Sequence, residues 1–129
     1  MSSYADDVAH IRDTIAAYAQ ALDDGRTDDV LVTFAPDGVA AFPGMEPLRG
    51  HEAIRAAYSR MAPRVPQRHV VGNTVITAYD GQRATASSDL VFYLKQGEAW
   101  TPKLVGRYTD QLRVEDGRWV FESRDLIFL

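Results

Sequence analysis

Val8, Ile11, Ile15, Tyr18, Ala19 and Leu22 recur three and four residues apart, which predicts an amphipathic helix with one buried stripe. Ser2 or Ser3 is placed to cap it, Asp6 and Asp7 lie at the positive end of its dipole, and Gly25 ends it. A short second helix is predicted over about residues 27–33, opened by Thr27 or Asp28. Phe34–Gly38 reads as a turn, Val39–Phe42 as a short strand, and Pro43, Gly44, Pro47 and Gly50 as markers of a loop. A third helix follows over His51–Met61, with Ile54, Ala57, Tyr58 and Met61 on one face.

Beyond Pro63 and Pro66 the pattern shortens to an alternation. It predicts strands over 67–79, 83–95, 99–114 and 118–128. The breaks between them are Asp80-Gly81, Lys95-Gln96-Gly97-Glu98 and Asp116-Gly117, each a hairpin signal. Helices first and an antiparallel meander second predict one α+β domain over residues 1–129. Its three helices should pack on a strongly curved antiparallel sheet.

Composition narrows the function classes. The chain has 129 residues, 46% hydrophobic and 25% charged, an ordinary mixture for one core. With no cysteine it has neither disulfides nor a thiolate nucleophile. The net charge of −4 comes without a basic stripe, so nucleic acid is not an expected partner. No apolar run reaches the length of a membrane span. The opening Met-Ser-Ser-Tyr-Ala-Asp-Asp lacks the basic start and apolar run of a signal peptide, so a cytoplasmic location is expected. Three scattered histidines without ligand spacing argue against a metal site, and no phosphate loop or nucleophile elbow is present, so no cofactor is expected.

Candidate chemistry then rests on polar residues that interrupt apolar faces. Asp23 follows Ile15 and Ala19 at steps of four, which sets its carboxylate on the edge of the buried stripe. His69 alternates with Val71, Asn73 and Val75 on one strand face. A carboxylate beside an imidazole fixes its tautomer, so the two form a candidate acid/base pair. Tyr18, on the helix stripe, is a candidate to polarise a substrate carbonyl, and Asn73 a candidate amide donor. Asp89 shares parity with Thr85 and Ser87, which places it outside unless a bulge turns it inward. In the last strand Asp125 shares a face with Trp119, Phe121 and Ile127, while Arg124 falls on the other face unless a bulge shifts it. Phe42, Tyr58, Phe92, Trp100, Tyr108 and Trp119 are candidates to line an apolar pocket for a small hydrophobic molecule. Exposed apolar residues such as Val105 or Val120 on the outer sheet face would favour a homodimer.

Six segments, in order, carry a resemblance across nearly the whole chain: Ile15–Gly25, Phe34–Gly38, Gly50–Ile54, Arg68–Asn73, Gly106–Asp110 and Asp116–Trp119. Together they resemble the SnoaL-like branch of the NTF2-like superfamily, whose fold is a cone of helices on a curved sheet. Scytalone dehydratase and bile-acid 7α-dehydratase, members of that superfamily, are similar at the informative positions. The resemblance implies pocket roles for Asp23 and His69, and from the bile-acid enzyme also for Tyr18 and Asp89. Where scytalone dehydratase carries a second active-site histidine, this chain reads Val91-Phe92-Tyr93-Leu94. The implied activity is a cofactor-independent lyase or isomerase, of dehydratase or polyketide-cyclase type, acting on a small hydrophobic carbonyl or hydroxyl compound. The alternatives are a non-catalytic binding or dimerisation module, and an epoxide hydrolase built on Asp89, Arg124 and Asp125.

Overall fold

A computed structural model describes residues 2–129. The first helix, α1 (Tyr4–Asp23), starts at a reciprocal cap. The Ser3 hydroxyl accepts from the Asp6 amide at 3.1 Å, and the Asp6 carboxylate accepts from the Ser3 amide at 3.2 Å. Its buried face carries Ile11, Ile15 and Tyr18, and also Asp7 and Asp23, one carboxylate near each end. A short α2 (Thr27–Leu31) and α3 (Gly50–Arg60) complete the helices; α3 buries Ile54, Ala57 and Tyr58. No helix among the described residues is long and apolar enough to cross a membrane.

The strands are β1 (Phe34–Ala41), β2 (Leu48–Arg49), β3 (Gln67–Tyr79), β4 (Arg83–Gln96), β5 (Ala99–Glu115) and β6 (Arg118–Phe128). They form one curved six-stranded sheet in the order β2-β1-β6-β5-β4-β3. β3 to β6 are an antiparallel meander, whereas β1 runs parallel to β6. The segment 34–38, expected as a turn, therefore belongs to β1. Phe34 pairs with Phe121 and Val39 with Ser123, so the surplus residues of β1 bulge between the two pairs. Gly38 serves that bulge: a Cβ there would meet the Ala35 carbonyl oxygen at 2.9 Å and that of Phe121 at 3.0 Å.

α1 is tied to the sheet along its length. The Thr14 hydroxyl donates to the Trp119 carbonyl at 2.8 Å, and Asp7 accepts from the Tyr79 hydroxyl and from the Trp119 indole. The core gathers Ile11, Ile15, Tyr18, Phe34, Tyr58, Leu90, Tyr108, Leu112 and Phe121.

Two further bulges set which side chains face inward. In β3, Gly72 pairs with Asp89 but Val75 with Ser87, and Asn73 at the irregularity has a φ of +53°. In β6, Phe121 pairs with Leu112 but Ser123 with Gln111, leaving Glu122 as the extra residue. Each bulge inverts the alternation beyond it.

Candidate active site

Asp23 is the last residue of α1, and its carboxylate reaches the first residues of β3. Its Oδ1 lies 2.6 Å from His69 Nδ1 and accepts from Gln67 Nε2 at 3.2 Å, while Oδ2 accepts from the His69 amide at 2.6 Å. Burial pushes the Asp23 carboxyl up, but the bonds from the His69 ring and amide, with help from Gln67, outweigh it and hold the carboxyl below its ordinary value. Asp23 is thus an anion that can only accept, so Nδ1 carries the proton in the neutral imidazole and Nε2 is the free lone pair. The Phe92 ring lies 4.7 Å from the imidazole, centroid to centroid.

His69 opens onto a cavity of about 190 Å³. Its walls are mostly apolar, with Leu22, Phe42, Met61, Phe92 and Leu126, and its polar members are Gln67, His69, Tyr18, Tyr58 and Tyr108. The Tyr18 and Tyr58 hydroxyls are 2.6 Å apart. Burial pushes both phenols up, so they stay protonated.

Beneath Tyr18 lies a buried ion pair. Arg124 donates to Asp110 at 2.9 and 3.3 Å, and both side chains are sealed from solvent. The guanidinium carbon sits 3.5 Å from the Tyr108 ring centroid, 4.3 Å from that of Tyr18 and 4.5 Å from that of Phe121. Burial pushes the Asp110 carboxyl up, against the pull of Arg124. Arg124 Nη1 is buried without a hydrogen-bond partner among the described residues.

A family model described as a SnoaL-like domain matches residues 3–125. The chain belongs to the SnoaL-like domain family. Solved structures agree in fold. A Mycobacterium tuberculosis protein of unknown function is 26% identical over 95% of this chain and 71% of its own, with a TM-score of 0.87. An NTF2-like protein with a cystatin-like fold from Novosphingobium aromaticivorans is 25% identical over 95% of this chain and 82% of its own, with a TM-score of 0.84. A protein from the same organism, described as a candidate scytalone dehydratase, has a TM-score of 0.84 over 95% of this chain and 83% of its own; its 18% identity shows the fold alone. No curated protein matches the sequence.

Within this SnoaL-like fold the structure gathers Tyr18, Asp23, Phe42, Tyr58, His69, Phe92 and Tyr108 at one place. Other candidates lie elsewhere. Asn73 is exposed because the β3 bulge turns it outward, where its amide donates to Asp89 at 3.4 Å. Asp89 keeps its outward parity and is paired with Arg107 at 2.7 Å, so neither residue reaches the cavity. Trp119 is buried, but at the far end of α1, with its indole bonded to Asp7 at 3.1 Å. Trp100 is exposed, with the Arg68 guanidinium 5.9 Å from its ring. Asp125 is exposed, because the β6 bulge sends Arg124 inward in its place. Val120 is buried and so offers no exposed apolar surface to a partner.

Gln67 and Asp110 are not among the candidates the sequence offers, whereas Arg124 is one on condition of a bulge, which β6 supplies. Gln67 is two residues before His69, so strand alternation alone puts it on the same face. Asp110 lies between Tyr108 and Leu112 on a face that is otherwise apolar.

Proposed function

We propose that this SnoaL-like protein is a cofactor-independent lyase or isomerase that takes a proton from carbon next to a carbonyl in a small hydrophobic compound. One observation carries the reading: Asp23 holds His69 Nδ1 at 2.6 Å while the same imidazole borders an apolar cavity. Nε2 of His69 is the base. Asp23 fixes the tautomer and balances the charge once the ring is protonated. The Tyr18–Tyr58 pair holds two hydroxyl protons and uses one between its own oxygens, leaving one to donate to the enolate oxygen. In the dehydratase version the C–H electron pair becomes the new C=C bond. The β-hydroxyl then leaves with the proton that His69 had taken, as water. In the cyclase version the same enolate attacks a carbonyl carbon of the substrate, its π electrons move to oxygen, and the resulting alkoxide takes the proton that His69 had removed.

The test starts from a thermal-shift screen of neutral cyclic ketones and β-hydroxy ketones, because a bound ligand stabilises the folded state. For compounds that bind, α-proton exchange into D₂O and enone formation are followed. His69→Ala should lower either rate about 10²–10⁴-fold at a temperature where the variant, which loses one donor to the buried Asp23 carboxylate, is still folded by circular dichroism. Full turnover in that variant would remove His69 from the chemistry. Binding without exchange or turnover in the unaltered protein would support a binding module instead. Epoxide hydrolysis is disfavoured because Asp89 and Asp125 lie on the outer face, away from Arg124.

A homodimer through the outer sheet face is part of the same proposal. Val70, Val91 and Val105 pair directly across β3, β4 and β5, and Val70 and Val105 are exposed. Light scattering should give twice the chain mass, and Val70→Lys/Val105→Lys should halve it. A monomer at micromolar concentration would overturn this part alone.

A further inference from the structure

A catalytic hollow of about 190 Å³ is small: cavities that enclose whole ligands usually start near ~300 Å³. Two of its walls, Phe42 and Leu126, are shared with a second, open depression of about 490 Å³. That depression is otherwise lined by Ala41, Pro43, Asp125, Ile127 and Phe128. It exists because β1 ends at Ala41, opposite Asp125, so among the described residues Leu126–Phe128 run on with no strand beside them on that side. Ile127 and Phe128 are each 54% exposed and offer apolar surface to the groove.

Leu126 borders both spaces. A Cβ on Gly106 would come within 2.9 Å of the Leu126 side chain, so glycine on β5 lets Leu126 settle back against the sheet. Polarity is divided as well. His69, Gln67 and the Tyr18–Tyr58 pair all belong to the inner hollow, whereas among the described residues Asp125 is the sole charged one lining the outer groove.

We propose that the outer groove is a second subsite, which takes the apolar extension of a ligand whose oxygen-bearing ring lies in the inner hollow. This rests on the function proposed above and narrows its substrate class. The ligand is elongated, polar at the buried end, hydrophobic along Phe42 and Leu126, and neutral or cationic at the distal end. The exposed Asp125 carboxylate disfavours an anionic terminus such as a carboxylate or phosphate.

The test uses 4-alkylcyclohexanones from methyl to hexyl, with binding measured by calorimetry. Affinity should rise with chain length by up to about fourfold per methylene, the value of a buried CH₂. A terminal carboxylate should weaken binding relative to the neutral compound of equal length, and Asp125→Asn should narrow that gap. Ile127→Ser/Phe128→Ser should flatten the dependence on length; both side chains are half exposed, so the core is left intact. Equal affinity across the series, or an unchanged slope in the double variant, overturns the subsite. Exchange of α-protons into D₂O separates this failure from that of the underlying chemistry. His69-dependent exchange with no length dependence removes the groove and leaves the acid/base reading. Length dependence without His69-dependent exchange does the reverse. A series in which no ketone binds removes both.

Discussion

Each end of α1 carries a buried carboxylate, and the two ends differ in what surrounds it. Asp7 accepts from the Ser2 hydroxyl at 2.6 Å, the Tyr79 hydroxyl, and the Trp119 indole at 3.1 Å. Its charge is spread over neutral donors that have no second task, and the bonds from Ser2, Tyr79 and Trp119 hold its carboxyl below its ordinary value. Asp23 is satisfied just as fully, by Gln67 and by the amide and ring of His69. One of those donors has a second nitrogen, and that residue borders a cavity. A buried carboxylate with a full set of hydrogen bonds is therefore no mark of catalysis by itself. The distinction lies in whether a donor can pass on the consequence of that bond to something outside the protein.

The largest expected effect concerns what lies between the two ends. Arg124 and Asp110 bridge β6 and β5 under Tyr18, between the Asp7 and Asp23 ends of the helix. Arg124→Met leaves the Asp110 carboxylate buried without its partner and should cost about 3–5 kcal/mol of stability. Urea unfolding followed by tryptophan fluorescence measures it. Because Arg124 packs against Tyr18 and Tyr108, which line the cavity beside His69, ligand binding there should weaken in the same variant. Arg124→Met/Asp110→Leu should recover much of the loss, since a buried pair replaced by apolar groups of similar volume is close to neutral. A double variant no more stable than the single one would mean that the cation's contacts with the Tyr18, Tyr108 and Phe121 rings dominate instead.

How far these features could be read from the sequence follows from the geometry that produced them. Helical spacing was enough to place Tyr18 and Asp23 on one stripe, because α1 is regular over its whole length. The SnoaL-like family, like the presence of three helices before a long meander, could be read from ordered local segments. Strand alternation located His69, which precedes the β3 bulge, but misplaced Asn73 and Asp125, which sit at or beyond bulges. A bulge is one extra residue and leaves no hydrophobic signature, so a strict period of two carries the wrong face past it. Trp119 was assigned to the pocket because aromatic residues on one sheet face look alike in sequence; its position at the opposite end of the cone depends on sheet curvature. The parallel pairing of β1 with β6 is non-local and was invisible to local turn chemistry at Pro36-Asp37-Gly38.

The smaller effects separate the two carboxylates directly, by one substitution made at each. In Asp23→Asn the new amide can offer an N–H to His69 Nδ1, which moves the ring proton to Nε2 and removes the base. Exchange of substrate α-protons should fall about 10²-fold, the lower range for losing one acid/base element. In Asp7→Asn the same chemistry is unaffected, because neither Asp7 nor its partners Ser2, Tyr79 and Trp119 line the cavity, and exchange should stay within twofold. Stability should respond in both variants, since each loses a charge that several donors point at. The sign follows from the lowered carboxyls. A folded value below the ordinary 3.8 contributes stability that is fully present above that value and is lost as pH falls through the folded one. Urea midpoints of the unaltered protein should therefore drop steeply below pH ~4, and each asparagine variant should flatten that drop while starting lower at neutral pH. A flattened acid limb in Asp7→Asn together with lost exchange would show that the two ends are coupled through α1, and the division of labour between them would fail.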